Sequence, residues 1–103
     1  MEGRFWQHHP DAPFALLLRK VETYCHPEAS DDAYDELKEF VHMPDHDPVF
    51  DRFKEQLTEA IRDPSQIPED ALFHAAQYSD GTDEKFLSRL WHDLYPDEPL
   101  PLP

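Results

Sequence analysis

Two short stretches carry residue types able to do chemistry. "HMPDHD", residues 42 to 47, sets His42, Asp45, His46 and Asp47 within six positions. The order His-x3-His is that of half a zinc site. No second cysteine and no His-Glu-x-x-His pair stands elsewhere to complete a tetrahedral set. A histidine in the last turn of a helix is favoured by the helix dipole without any metal, so no metal is expected here. Cys25 is followed directly by His26. Consecutive helical residues point about 100° apart and do not form a nucleophile–base pair, so a structural cysteine is expected. His8 and His9 are adjacent and would bind nickel or zinc only incidentally. With 2 glycines in the chain there is no phosphate-binding loop. The 23 carboxylates are too many for any pair to stand out as general acid and base. No catalytic residue, cofactor or metal ligand is expected, and the chain reads as a protein that is not an enzyme.

The most unusual chemistry is electrostatic. In "SDDAYDELKEF", residues 30 to 40, Asp31 and Asp35, Asp32 and Glu36, and Asp35 and Glu39 are like-charge pairs four apart, and Lys38 is the one cation. On a helix each such pair costs a few tenths of a kcal/mol. Asp31 and Asp32 are explained by the dipole at a helix start; Asp35, Glu36 and Glu39 lie deeper and gain less. A second ladder, Asp47, Asp51, Glu55 and Glu59, is interleaved with Arg52, Lys54 and Arg62 at spacings that allow compensating pairs, so it reads as a solvated face. A self-repelling face becomes favourable when a basic partner covers it. Complementary charge of that kind sets association rate and partner choice. Affinity needs an aromatic or arginine anchor beside the charges, and Tyr34 inside the acidic run is the candidate, with Tyr24 and Tyr78 as further options.

The elements that must position these residues follow from apolar spacing. A first helix is expected from Asp11 as N-cap, with Pro13 in its first turn; Phe14, Leu17, Leu18, Val21 and Tyr24 recur at helical spacing until Pro27. A second starts at Ser30 or Asp31, presents Ala33, Leu37, Phe40 and Val41, and stops before Pro44. A third has Asp47 as N-cap, Pro48 at the first position, and a stripe of Val49, Phe50, Phe53, Leu57, Ala60 and Ile61. A short fourth begins near Pro68 and carries Ala71, Leu72, Ala75 and Ala76. After the turn "YSDGT", a fifth runs from Asp83 with Phe86, Leu87, Leu90, Trp91 and Leu94 on one side. No strand pattern competes. The expected fold is all-α, a compact antiparallel bundle of four long helices plus one short helix. It spans residues 11–95, between an irregular segment 1–10, where Phe5 and Trp6 cover the core or an interface, and a proline-rich extended tail 96–103.

Composition bounds the function. A chain of 103 residues supports one modest core, and 39% apolar residues with 13% aromatics is too much for a disordered chain. A net charge of −14 argues against direct contact with nucleic acid, which needs Lys and Arg to displace phosphate counterions, and against anionic membrane surfaces. The single cysteine and the absence of a signal-like or membrane-spanning apolar run point to the cytoplasm.

The run "IRDPSQIPEDALFHAAQYSDGTDEKFLSRLWHDLYPDEP", residues 61 to 99, together with the acidic "YDELKEFV" at 34 to 41, resembles small bacterial immunity proteins of the bacteriocin and contact-dependent growth inhibition types. The resemblance implies a cytosolic antitoxin that binds a cognate toxin domain, often a basic nuclease, and blocks its active site or an adjacent exosite. In the colicin nuclease immunity family an acidic second helix sets specificity and a tyrosine pair followed by proline supplies common binding energy. The acidic second helix carries over as Asp31, Asp35, Glu36 and Glu39 with Tyr34, flanked by Asp47 and Asp51 at the start of the third helix. The tyrosine pair does not: here "LYP", with Tyr95 and Pro96, closes the last helix, and Tyr95 is left out of the site. The expected partner is a basic toxin domain, with no direct nucleic acid and no membrane, and the free protein is expected to be a monomer. Two other readings fit the acidity. A nucleic-acid mimic would repeat charge at phosphate-like spacing, as the third helix does before Arg52, Lys54 and Arg62 interrupt it. A helical adaptor or scaffold would bind basic proteins without a toxin partner.

Overall fold

Five helices form where the apolar stripes lie: α1 (Ala15–Cys25), α2 (Ala33–His42), α3 (Val49–Arg62), α4 (Ala71–Ala76) and α5 (Asp83–Leu94), with a 3-10 turn at Pro64–Gln66. The computed structural model describes Trp6, His9, Ala12 and residues 14–26, 28–29, 32–45, 47–67 and 70–101, with no strand among them. The radius of gyration, 12.8 Å, is what a folded chain of this length gives. Among the described residues no helix is long and apolar enough to cross a membrane.

α1 buries Ala15, Leu17, Leu18 and Val21. It begins after Phe14, which sits in the left-handed region at φ 64°, so the expected start at Asp11 is displaced; Asp11 and Pro13 themselves lie outside the described residues. A helix start leaves backbone N–H groups without partners. Here the Leu17 N–H donates to Oε1 of Gln56, on α3, at 2.9 Å, a cap supplied by a neighbouring helix. Trp6 is fully buried and its Nε1 donates to Glu22 Oε1 at 3.1 Å, which ties this residue to α1.

α3 is the longest helix and buries Phe50, Phe53, Leu57 and Ala60. Asp47 acts at its start as its type predicts, with Oδ1 accepting from the Val49 N–H at 3.0 Å. α4 is bracketed by left-handed residues, Asp70 at φ 64° and Gln77 at φ 48°. Four of its residues, Ala71, Leu72, Ala75 and Ala76, are buried. Three of those four are alanines, which lets α4 pack closely on α1. It starts three residues later than Pro68, which with Glu69 lies outside the described residues.

α5 starts with Thr82 as N-cap, its side chain accepting from the Lys85 N–H at 3.2 Å. Phe86, Leu87, Leu90, Trp91 and Leu94 are buried along it. The chain beyond α5 does not run straight on. The Glu98 N–H donates to the Tyr95 carbonyl at 3.1 Å, and Trp91 Nε1 donates to the Glu98 carbonyl at 3.3 Å. Lys54 reaches from α3 to Glu98 at 2.6 Å, and Leu100 packs against the core. Prolines forbid a helix here, but one ion pair and one indole N–H suffice to turn the segment back.

Candidate functional site

The acidic face is built on the shortest stripe of the four longer helices. α2 buries only Ala33 and Leu37, with Phe40 and Val41 half-buried beside them. The helix begins at Ala33, later than the expected Ser30 or Asp31, and its N-cap, Asp32, makes no side-chain cap bond. It is Asp35 and Glu36, expected to lie deeper, that fall in the first turn and suit the positive end of the dipole. At the other end His42 donates from Nε2 to the Leu94 carbonyl of α5. Asp31 and Ser30 lie outside the described residues.

Asp35, Glu36 and Glu39 are all exposed. The Asp35 side chain is 72% exposed and meets Lys38 at 3.4 Å. That one cation is shared, because its ammonium also stands 5.2 Å above the Tyr34 ring. Asp47 and Asp51 are exposed on the neighbouring stretch that leads into α3. Asp47 divides its duties, capping the Val49 N–H while remaining open to solvent, and Asp51 faces toward Tyr95, whose phenol it helps to keep protonated after burial and Glu98.

Tyr34 is not the free anchor its position suggests. Its hydroxyl donates to Oδ2 of Asp93 on α5 at 2.7 Å. Arg89 approaches Asp93 at 3.9 Å and grips Asp80 with two bonds, at 2.8 and 3.0 Å. Burial first, then the bond to Asp93, raises the Tyr34 phenol above its ordinary range. The Arg89 guanidinium holds the Asp80 carboxyl below the usual range. Tyr34 therefore joins α2 to α5, a link between residues 59 positions apart that spacing within one helix does not reveal.

The other chemical candidates are likewise placed. Burial pushes the half-buried Cys25 thiol up to about 12, only partly opposed by Arg89, so it is a poor nucleophile near neutrality. The His26 ring accepts from the Glu28 N–H at Nδ1 and meets Gln77 at Nε2, so both nitrogens are engaged elsewhere. Among the described residues no group of three His, Cys, Asp or Glu side chains converges as metal ligands would; His46 and His8 lie outside them. No buried side-chain nitrogen or oxygen among the described residues lacks a hydrogen-bond partner.

One feature has no counterpart in any single stretch of the sequence. Beside the C-terminal end of α2, a shallow cleft of about 350 Å³ opens between α1 and the α2–α3 connection. Its apolar lining comes from α1 (Tyr24), the end of α2 and the residue after it (Phe40, Met43) and the start of α3 (Val49, Phe50), so only the packing of three elements brings them together. A pair of weak signals existed: Met43 is an apolar residue past the end of the α2 stripe, and Val49 precedes the buried part of α3.

Comparison of the chain with protein-family models, curated proteins and solved structures returned no match.

Proposed function

We propose that this protein is a non-catalytic binding protein that captures and neutralises a basic protein domain through the exposed acidic face of α2, in the manner of a cytoplasmic toxin-immunity protein. One observation carries the reading: Asp35, Glu36 and Glu39 all face solvent on a helix whose only lysine is shared between Asp35 and the Tyr34 ring. Asp35 and Glu36 suit the dipole of α2 and Asp35 meets Lys38, but among the described residues none of the three carboxylates bonds to another element, and Asp35 and Glu39 repel each other. A basic surface laid over them removes that repulsion and is drawn in by the field of a chain with net charge −14. Asp47 and Asp51 extend the same surface toward α3. The helices serve as a rigid antiparallel bundle, a layout supported by their short connections, and Tyr34 acts from beneath by fixing α2 to α5.

The test begins with capture of a partner under rising salt and its identification by mass spectrometry. The decisive step is the association rate of that partner with the triple variant Asp35→Asn/Glu36→Gln/Glu39→Gln. Removing three charges from a steering surface is expected to slow association by roughly tenfold or more and to flatten its salt dependence. An unchanged rate and salt slope would sink the assignment of α2.

A further inference from the structure

The cleft beside α2 has the composition of an anchor pocket. Tyr24, Phe40, Met43, Val49 and Phe50 form its apolar wall. The aromatic rings are already ordered by one another: Tyr24 meets Phe40 edge-on at 6.2 Å and Phe40 stacks on Phe50 at 5.8 Å. An incoming side chain thus meets a preformed surface and loses little freedom to organise it. Phe40 and Val49 are only half-buried and Met43 is 43% exposed, so the wall faces solvent in the free protein. Two large apolar side chains are exposed among the described residues, Met43 and Phe73, and Met43 stands on this wall beside the half-buried Phe40 and Val49.

Charge decides what would cover it. Asp45 and Asp47, both exposed, line the cleft. On the helix above, Glu36 stands close enough for its charge to act on the Tyr24 phenol. The one cation in the lining, Lys20, is laid over the Phe50 ring at 5.2 Å. An apolar centre with a carboxylate rim is the arrangement of a binding hot spot whose charged surround selects the partner. A volume near 350 Å³ lies at the small end for drug-sized ligands and is open to solvent, so it suits one or two side chains of a protein rather than a small molecule.

We propose that this cleft receives a leucine- or phenylalanine-sized side chain carried between lysines or arginines on a segment of the partner. This rests on the reading of α2 as a surface for a basic protein and adds where the affinity resides. The α2 carboxylates steer the partner, and the cleft beside them holds it. The cations that flank the inserted side chain meet Asp45 on one side and the α2 face on the other.

The experiment is a methyl NMR titration of the whole protein with a capped peptide, Lys-Lys-Leu-Phe-Lys-Lys, against a control in which Leu-Phe is replaced by Ala-Ala. The expected result is saturable movement of the Met43 and Val49 methyl signals by the first peptide, with affinity at least tenfold weaker for the control. Met43→Ala, at an exposed position that leaves the fold intact, is expected to weaken the first peptide severalfold, read at Val49. Equal binding of both peptides, with shifts confined to the amides of Asp35, Glu36 and Glu39, would overturn the cleft and leave the acidic-face reading standing. No shift at either place with millimolar peptide also overturns the cleft, and the association kinetics of the triple variant then judge α2 separately. Methyl shifts that change with protein concentration alone would assign the cleft to a second copy of the chain and reject the basic segment.

Discussion

α2 and α5 are both short amphipathic helices with two carboxylates in the first turn, yet they use their charges in opposite ways. α5 spends its charge on the fold. Thr82 caps it, Asp83 accepts the Tyr78 hydroxyl, and Arg89 binds Asp80 in a fork and leans on Asp93. Five large side chains are buried along it. α2 has no side-chain cap, buries two residues, and leaves Asp35, Glu36 and Glu39 in solvent. Its side-chain hydrogen bonds to the body run from Tyr34 and His42 to α5, while Phe40 packs against Tyr24 of α1 and Phe50 of α3. One helix is a strut with its electrostatics satisfied; the other is a surface held in place by the strut. That division gives stability to α5 and, on the proposed function, recognition to α2, and it can be broken at several points.

The largest expected effect is on the strut. Leu90 is fully buried, and Leu90→Ala should cost roughly 2–5 kcal/mol through lost burial and the cavity left behind. Against a total of about 5–15 kcal/mol for a domain, that lowers the melting temperature by on the order of 10 °C or more. The matching truncation on the surface helix, Val41→Ala, removes a half-buried side chain and should cost about 1 kcal/mol or less. Thermal or urea unfolding of the two variants measures the difference directly. Equal losses would mean that α2 is as deeply built into the core as α5.

A smaller effect is expected where the two helices meet. Tyr34→Phe keeps the ring and deletes the hydroxyl that donates to Asp93, for a loss of about 1 kcal/mol at neutral pH. The pH dependence sharpens this. In the folded protein burial and Asp93 keep the Tyr34 phenol protonated above its ordinary value of 10.0, whereas the unfolded phenol ionises there. Above pH 10 the unfolded state therefore binds fewer protons, and stability that is fully present below about 10 falls as pH rises. Tyr78 and Tyr95 are raised as well, and Cys25 in the same direction from 9.0 to about 12, so the variant keeps part of the slope. Urea midpoints at pH 8 and 10.5 should fall more steeply for the native chain than for Tyr34→Phe. Parallel falls would place Tyr34 outside the α2–α5 seam.

How far these roles were legible in the sequence depends on the distance between the residues that create them. The stripes of α3 and α5 repeat often enough that a 3.6-residue period specifies them, and Asp47 caps because its type and the following proline leave it little else to do. The start of α1 departs from the Asp11 cap signal because Phe14 adopts a left-handed conformation that no local preference favours. For the tail, proline speaks only against helix and so implies an extended segment, while its turn depends on Trp91 and Lys54. Tyr34 looked like an anchor because its acidic neighbours in sequence are visible and Asp93 is not. The cleft is a product of three elements meeting, so no window along the chain contains it.

The smallest expected effect on stability is the one that bears most on function. In Asp35→Asn/Glu36→Gln/Glu39→Gln the repulsions between Asp32 and Glu36 and between Asp35 and Glu39 disappear, a gain of a few tenths of a kcal/mol each. Opposing this, the first turn loses two charges that suit the dipole, and the exposed pair of Asp35 with Lys38 is lost, each term of similar size. The net change should lie within about 0.5 kcal/mol of zero. In the turn before α5 a single Asp80→Asn removes the partner of the Arg89 fork and should cost about 0.5–1 kcal/mol, even though the Arg89 side chain is 46% exposed. Urea unfolding of both variants makes the contrast measurable: three charges removed from α2 at almost no net cost, and one charge that anchors Arg89 of α5 removed at a loss. If the triple variant loses more than about 1 kcal/mol, its carboxylates hold the fold together after all, and their exposure no longer argues for a partner.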